Sequence, residues 1–145
     1  MSTEQSRALV RGYFEAYNQG DLAALQELLS PDFVCWTGGA AEPIRGLELN
    51  LQMEAYHRSA FSDIRVSVLD LVADGDRVAV RRSWHFKHSG PFEGVAPTGK
   101  EIDGTAQEIF RIEAGQIAEI WTESDNLSFM QQLGAGPTAN REPGL

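Results

Sequence analysis

With 21 acidic against 12 basic residues in 145, the chain carries a formal charge of −9, and its scattered Lys and Arg exclude the clustered cationic surface that nucleic acid requires. Its one cysteine, Cys35, excludes an intrachain disulfide and a thiolate metal cluster. A polar start, MSTEQSR, and the lack of any run near the ~18 apolar residues of a membrane span predict a cytoplasmic protein with no membrane partner. The length predicts a single domain over residues 1–133 and a flexible Gly- and Pro-rich tail over 134–145.

From Thr3 to Tyr17, the residues Leu9, Val10, Tyr13, Phe14 and Tyr17 recur at helical spacing and predict an amphipathic helix with one wide apolar face. Gly20 ends it. Asp21 is placed to cap a second helix, Leu22 to Leu29, which Ser30-Pro31-Asp32 breaks. Phe33 to Thr37 reads as a short strand turned by Gly38-Gly39, and Ile44-Arg45-Gly46 leads into a third helix from Leu47 to Ala60.

After Ser62-Asp63 the period changes from helical to two. Ile64 to Val72 and Arg77 to His88 alternate about Asp74-Gly75-Asp76, and residues 103–113 and 116–124 alternate about Glu113-Ala114-Gly115. Both pairs predict antiparallel hairpins. A last short helix covers about Leu127 to Leu133, with Asp125 as its cap. Helices followed by meanders predict an α+β domain, a curved antiparallel sheet wrapped around the N-terminal helices. Such a sheet leaves a conical cavity, and Tyr17, Phe33, Trp36, Met53, Tyr56, Trp84, Phe86 and Phe110 are its candidate lining.

Three stretches carry a family resemblance: AYNQGDLAALQELLSPDF at the first two helices, HSGPFEGVAPTG between paired strands, and FRIEAGQIAEIW followed by DNLSFMQQLG. With IRG before the third helix, they resemble the SnoaL-like polyketide cyclases, a branch of the nuclear transport factor 2-like superfamily. The resemblance implies a cone-shaped α+β barrel and a homodimer. It also implies an intramolecular aldol condensation run without metal or organic cofactor on a bulky, polyketide-like, mostly apolar small molecule. The chemistry needs a side chain able to exchange a proton at carbon or oxygen.

In that family an Asp on the final strand, a His two residues before it and a His on the preceding strand look like the acid/base groups. Matched through the Gly115 hairpin, they fall on Thr122, Ile120 and Glu108. Thr122 takes no proton at neutral pH and Ile120 donates no hydrogen bond, so Glu108 is the candidate catalytic residue, with Arg81, Arg82 or Arg111 as possible partners. Tyr17, Trp36, Met53, Tyr56, Trp84, His88, Phe110, Ile120 and Thr122 form the expected substrate pocket. Glu119 and Glu123 alternate away from it, and His85 and His88 point to opposite faces of a strand with no third ligand near, against a metal site. His88 is also suited to tying the glycine connection by hydrogen bonds.

The altered acid/base positions leave two alternatives open: a non-catalytic ligand-binding or accessory protein, and a hydroxylase-type member working with a reductase. A hydrolase of the limonene-epoxide type requires an Asp-Arg-Asp set for which no pair of aspartates is available. Dimerisation is expected through the outer sheet face, where Ile109, Ile117 and Trp121 are placed opposite Glu108.

Overall fold

The structure is a computed structural model and describes residues 1–134. Of the expected tail, all but Gly134 lies outside the described residues, and Gly134 itself closes the last helix at φ 78. The elements run α1 (Thr3–Gln19), α2 (Leu22–Leu28), β1 (Leu29–Thr37), β2 (Ile44–Arg45), α3 (Leu47–Ala60), β3 (Phe61–Asp74), β4 (Arg77–His88), β5 (Glu101–Glu113), β6 (Gln116–Ser124) and α4 (Asn126–Leu133). The strands form one curved, unclosed sheet in the order β2-β1-β6-β5-β4-β3, with helices against it.

Local chemistry sets the helix ends. The Ser2 hydroxyl accepts from Gln5 N at 3.1 Å while the Gln5 amide oxygen accepts from Ser2 N at 2.9 Å, a reciprocal cap at the start of α1. Asp21 and Asp125 cap α2 and α4 by accepting from Ala24 N and Ser128 N, each at 3.0 Å. The buried Ser6 hydroxyl donates to Gly75 O at 2.6 Å, pinning the β3–β4 turn to α1. Asn18 serves as a strand partner for edge strand β3, donating to Val66 O (2.8 Å) and accepting from Val66 N (2.7 Å).

Three details of the sheet depart from the pattern read in the sequence. Ser30-Pro31-Asp32 does not separate helix from strand, because β1 already begins at Leu29. Its pairing with β6 jumps from Leu29↔Ile117 to Val34↔Glu119, and Pro31 sits in that irregular stretch, where its missing N–H interrupts no regular ladder. The β1–β6 pair is parallel, so the sheet is mixed rather than wholly antiparallel. Finally, a register shift between Arg111 and Ile112 puts Ile112 opposite Ile117. Ile117 therefore turns into the core, at 0% exposure, and not onto the outer face with Ile109 and Trp121.

The core gathers where α1 and α3 cross the sheet, around Val10, Phe14, Phe33, Phe61, Phe110, Ile112 and Ile117. Each such side chain contributes on the order of 1.5–3 kcal/mol by leaving water. Phe110 lies edge-on to both Tyr13 and Phe14, at 5.5 and 5.7 Å between ring centres.

Candidate active site

Inward positions alternate along β4 and β5, and they bring Arg82 and Glu108 together. Val80 pairs with Glu108 and Arg82 with Ala106, so the two charged residues are diagonal neighbours on one face of adjacent strands. Arg82 Nε donates to Glu108 Oε1 at 2.5 Å. On the other side Thr122 lies directly opposite Glu108 across β6, and its hydroxyl donates to Oε2 at 2.8 Å. The carboxylate thus has a partner on each oxygen, in a residue only 6% exposed. Burial works against the Arg82 charge, but the attraction and hydrogen bond of Glu108 outweigh it and hold the guanidinium above its ordinary range.

Two cavities meet around these residues. The first, about 190 Å³, lies between the helices and the sheet and is lined by Tyr13, Tyr17, Phe33, Cys35, Asn50, Met53, Glu54, Glu108, Ile120 and Thr122, among others. The second, about 360 Å³, lies beneath α4 and the 89–100 connection and is lined by Tyr17, Glu54, His57, Arg82, Trp84, Phe86, Phe92 and Phe129, together with Thr37, Ser124 and Asn126. Tyr17 and Glu54 belong to both. A substrate spanning the two chambers passes these side chains.

The titratable groups of the site are held largely in neutral or paired forms. Burial raises the Tyr13 phenol well above its ordinary value, with Glu108 and Tyr17 adding to the effect, and burial with Glu54 raises Tyr17. Both phenols are therefore hydrogen-bond donors at neutral pH. Burial pushes the His57 imidazole down to about 4, assisted by the Arg58 and Arg82 charges, so it is uncharged at pH 7. Burial also pushes up the Cys35 thiol, which makes it a poor nucleophile.

Glu54 is raised by burial despite its neighbour Arg58. The pair approach to 2.7 Å between Oε1 and Nε, but these two atoms lack the alignment of a hydrogen bond. Arg58 instead donates through Nη2 to Tyr17 O at 2.6 Å and lies 4.8 Å above the Tyr17 ring.

The residues singled out in the sequence divide as follows. Glu108, Tyr17, Met53, Ile120 and Thr122 border the first cavity, and Tyr17 and Trp84 the second. Trp36 lies elsewhere. Inward residues of β1 are Phe33 and Cys35, so Trp36 points outward, 37% exposed, and its indole N–H donates to Glu119 at 2.6 Å. Phe110 is core, fully buried against Tyr13 and Phe14 rather than bordering either cavity.

Tyr56 sits outside both cavities, stacked 5.8 Å from Phe92, with its hydroxyl accepting from Glu93 N at 3.1 Å. His88 is also outside them. Its Nδ1 shares a hydrogen bond of 3.0 Å with the Thr98 hydroxyl and accepts from Thr98 N at 3.2 Å, tying the ends of the glycine connection. His85 faces the other way and meets Asp103 at 2.6 Å. Glu119 and Glu123 both stand off the first and second cavities.

Sequence reading missed Tyr13, Glu54 and His57 as site residues. Tyr13 was legible only as part of an apolar helix stripe. Glu54 and His57 lie three apart on α3, and that spacing on one helix face is the only local signal they carry.

The comparisons with known proteins agree with this architecture. The sequence profile of the SnoaL-like polyketide cyclases matches residues 7–133. The chain is 28% identical over 130 residues to aklanonic acid methyl ester cyclase AcmA of Streptomyces galilaeus, covering 88% of this chain and 89% of that one. Among solved structures, AclR of Streptomyces galilaeus, a candidate hydroxylase, superposes with a TM-score of 0.84 at 27% identity, over 94% of this chain and 100% of AclR. IdmH of Streptomyces antibioticus, a candidate polyketide cyclase, superposes with a TM-score of 0.78 at 37% identity, over 90% and 99% of the two chains. Fold, site and sequence converge: the chain belongs to the SnoaL-like polyketide cyclase family.

Proposed function

We propose that the protein is an enzyme of proton transfer at carbon, closing or isomerising a ring in a bulky, mostly apolar, polyketide-like substrate without an organic cofactor. The observation that carries this is the Glu108 carboxylate, buried beside a cavity and oriented by Arg82 and Thr122. A base needs a fixed direction and little competing water, and both are supplied here. Glu108 takes a proton from a carbon next to a carbonyl, the C–H electron pair moves into the enolate, and the enolate carbon attacks a second carbonyl of the same molecule. The proton then passes to the new alkoxide. Tyr13 and Tyr17 are placed to donate hydrogen bonds to substrate oxygen, and Glu54, facing both chambers, is a second group able to carry the proton.

The test is turnover of a methyl-ester polyketide of the kind named for AcmA. Glu108→Gln keeps the shape and removes the base, and should lower turnover by about 10² or more. Thr122→Ala loses one hydrogen bond to a charged group, worth roughly tenfold. Wild-type turnover that is indifferent to Glu108→Gln removes Glu108 from the chemistry. Wild type that binds without turning over favours the ligand-binding reading. Likeness to AclR supports hydroxylation with a separate reductase as a second reading, for which reductase-dependent oxygen uptake is the assay.

The proposal includes a homodimer. Val72 and Ile109 are 68% and 47% exposed, and beside Trp121 they border a shallow depression on the outer face of the sheet. Exposed apolar surface of this kind marks an interface.

A further inference from the structure

The second chamber has a half-engaged guanidinium in its wall. A guanidinium carries five N–H donors in a fixed fork. Among the described residues Arg82 employs only Nε, toward Glu108, and its two terminal nitrogens make no hydrogen bond. Its side chain is 15% exposed, and it lines the second cavity but not the first. Neither terminal nitrogen is among the buried unpaired atoms, so both remain open to a ligand oxygen in the chamber.

The rest of the chamber suits the body of such a ligand. Trp84 and Phe86 stack at 4.9 Å and 14°, and Phe129 stands edge-on to Trp84 at 5.7 Å. Phe92, carried on the 89–100 connection, meets Phe129 edge-on at 5.7 Å. These four rings belong to the wall of the chamber. His57 brings no charge to it at pH 7, and Glu54 in the same wall stands against Arg58, which is also engaged with Tyr17, so Arg82 is the cation that meets a ligand there.

We propose that the second chamber is a recognition subsite for a planar ring bearing an ionised oxygen, an enolate, phenolate or carboxylate, and that the terminal nitrogens of Arg82 are its anchor. The ring lies among Trp84, Phe86 and Phe129, and the oxygen receives paired N–H donation from the guanidinium whose Nε orients Glu108. Arg82 thereby couples recognition to the base: one side holds the carboxylate, the other the substrate oxygen on which negative charge is greatest. The inference rests on reading the site as a pocket for an apolar, oxygen-bearing substrate, and it is tested by binding, so it fails separately from the turnover test of Glu108.

The probes are 2-naphthoate, ionised at pH 7, and its neutral near-isostere 2-acetylnaphthalene, titrated calorimetrically into the full chain. Wild type should prefer 2-naphthoate by about tenfold or more, the scale of a charge-assisted hydrogen bond. Glu108→Gln, which leaves the cation without its internal partner, should keep or enlarge the preference. The double variant Arg82→Met/Glu108→Gln, which removes both charges together and so leaves none unpaired, should abolish it. Phe129→Ala should weaken both probes about equally, locating them in the chamber. Equal affinity of wild type for the two probes, a preference that survives the double variant, or indifference to Phe129→Ala would each overturn the proposal.

Discussion

Arg82 and Glu108 meet at 2.5 Å between neighbouring strands, with side chains only 15% and 6% exposed. A buried pair of this kind is a modest source of stability while intact and a large liability when halved, since the remaining charge has no water to turn to. Arg82→Met alone should therefore destabilise the fold by about 3–5 kcal/mol. Adding Glu108→Gln should restore much of the loss. Urea unfolding of the two single variants and the double gives the coupling directly, and additive losses would show that the pair is not energetically linked.

Acid should weaken the protein partly through His57. The folded imidazole is pushed down to about 4 by burial, while an unfolded histidine titrates near 6.5. Above 6.5 neither state binds the proton. Between 6.5 and 4 the unfolded chain binds it and the folded one does not, so stability is lost as pH falls through that window and levels off below it. At ~1.4 kcal/mol per pKa unit the loss is on the order of 3 kcal/mol. Glu54, raised by burial, acts with the opposite sign by favouring the folded state as it takes up a proton. His57→Phe should flatten the decline of the urea midpoint from pH 7 to pH 4.5, and an unaltered decline would assign the acid sensitivity elsewhere.

Gly104 makes room for Trp84. The two are strand partners, and a Cβ at 104 would lie 2.1 Å from indole Cζ2 and 2.5 Å from Cε2. Gly104→Ala should push the ring off its stack on Phe86, at a cost of about 1–3 kcal/mol from overpacking. The displaced wall of the second chamber should also weaken 2-naphthoate. A variant with wild-type melting temperature and near-ultraviolet circular dichroism would show that the sheet gives way instead.

If the outer face is the dimer surface, Ile109→Arg should produce monomers at micromolar concentration without unfolding the chain, because residue 109 is 47% exposed and outside the core. Light scattering decides the point. An unchanged mass would place any interface elsewhere.

Much of this protein is decided close to home along the chain. Asp21 and Asp125 cap the helices that follow them because the interaction spans three residues, and β4 and β6 run over the residues whose period-two alternation marks them. Glu108 was singled out by the family resemblance, matched through the Gly115 hairpin, and residues 108, 110 and 112 of β5 do share the inward face. What local pattern left open was how strands sit against one another. Alternation over Phe33 to Thr37 admits Phe33 or Trp36 to the inner face but not both, and only the packed structure shows that Phe33 is the one, while parity fails outright for Ile117, which turned inward beside the shift at Arg111.

Nor could spacing choose Arg82 over Arg81 or Arg111 as the partner of Glu108. Arg81 faces outward to Asp70 at 2.6 Å and Arg111 to Glu119 at 3.0 Å, and only the β4–β5 register puts residue 82 diagonal to 108. The second chamber lay further out of reach. Its walls come chiefly from α3, β4, the 89–100 connection and α4, so that His57 and Phe129 face one space from segments far apart in the chain. Sequence determines what each segment prefers within a turn or two; contacts between segments so far apart are settled only when the whole sheet curves around its helices and the interior closes.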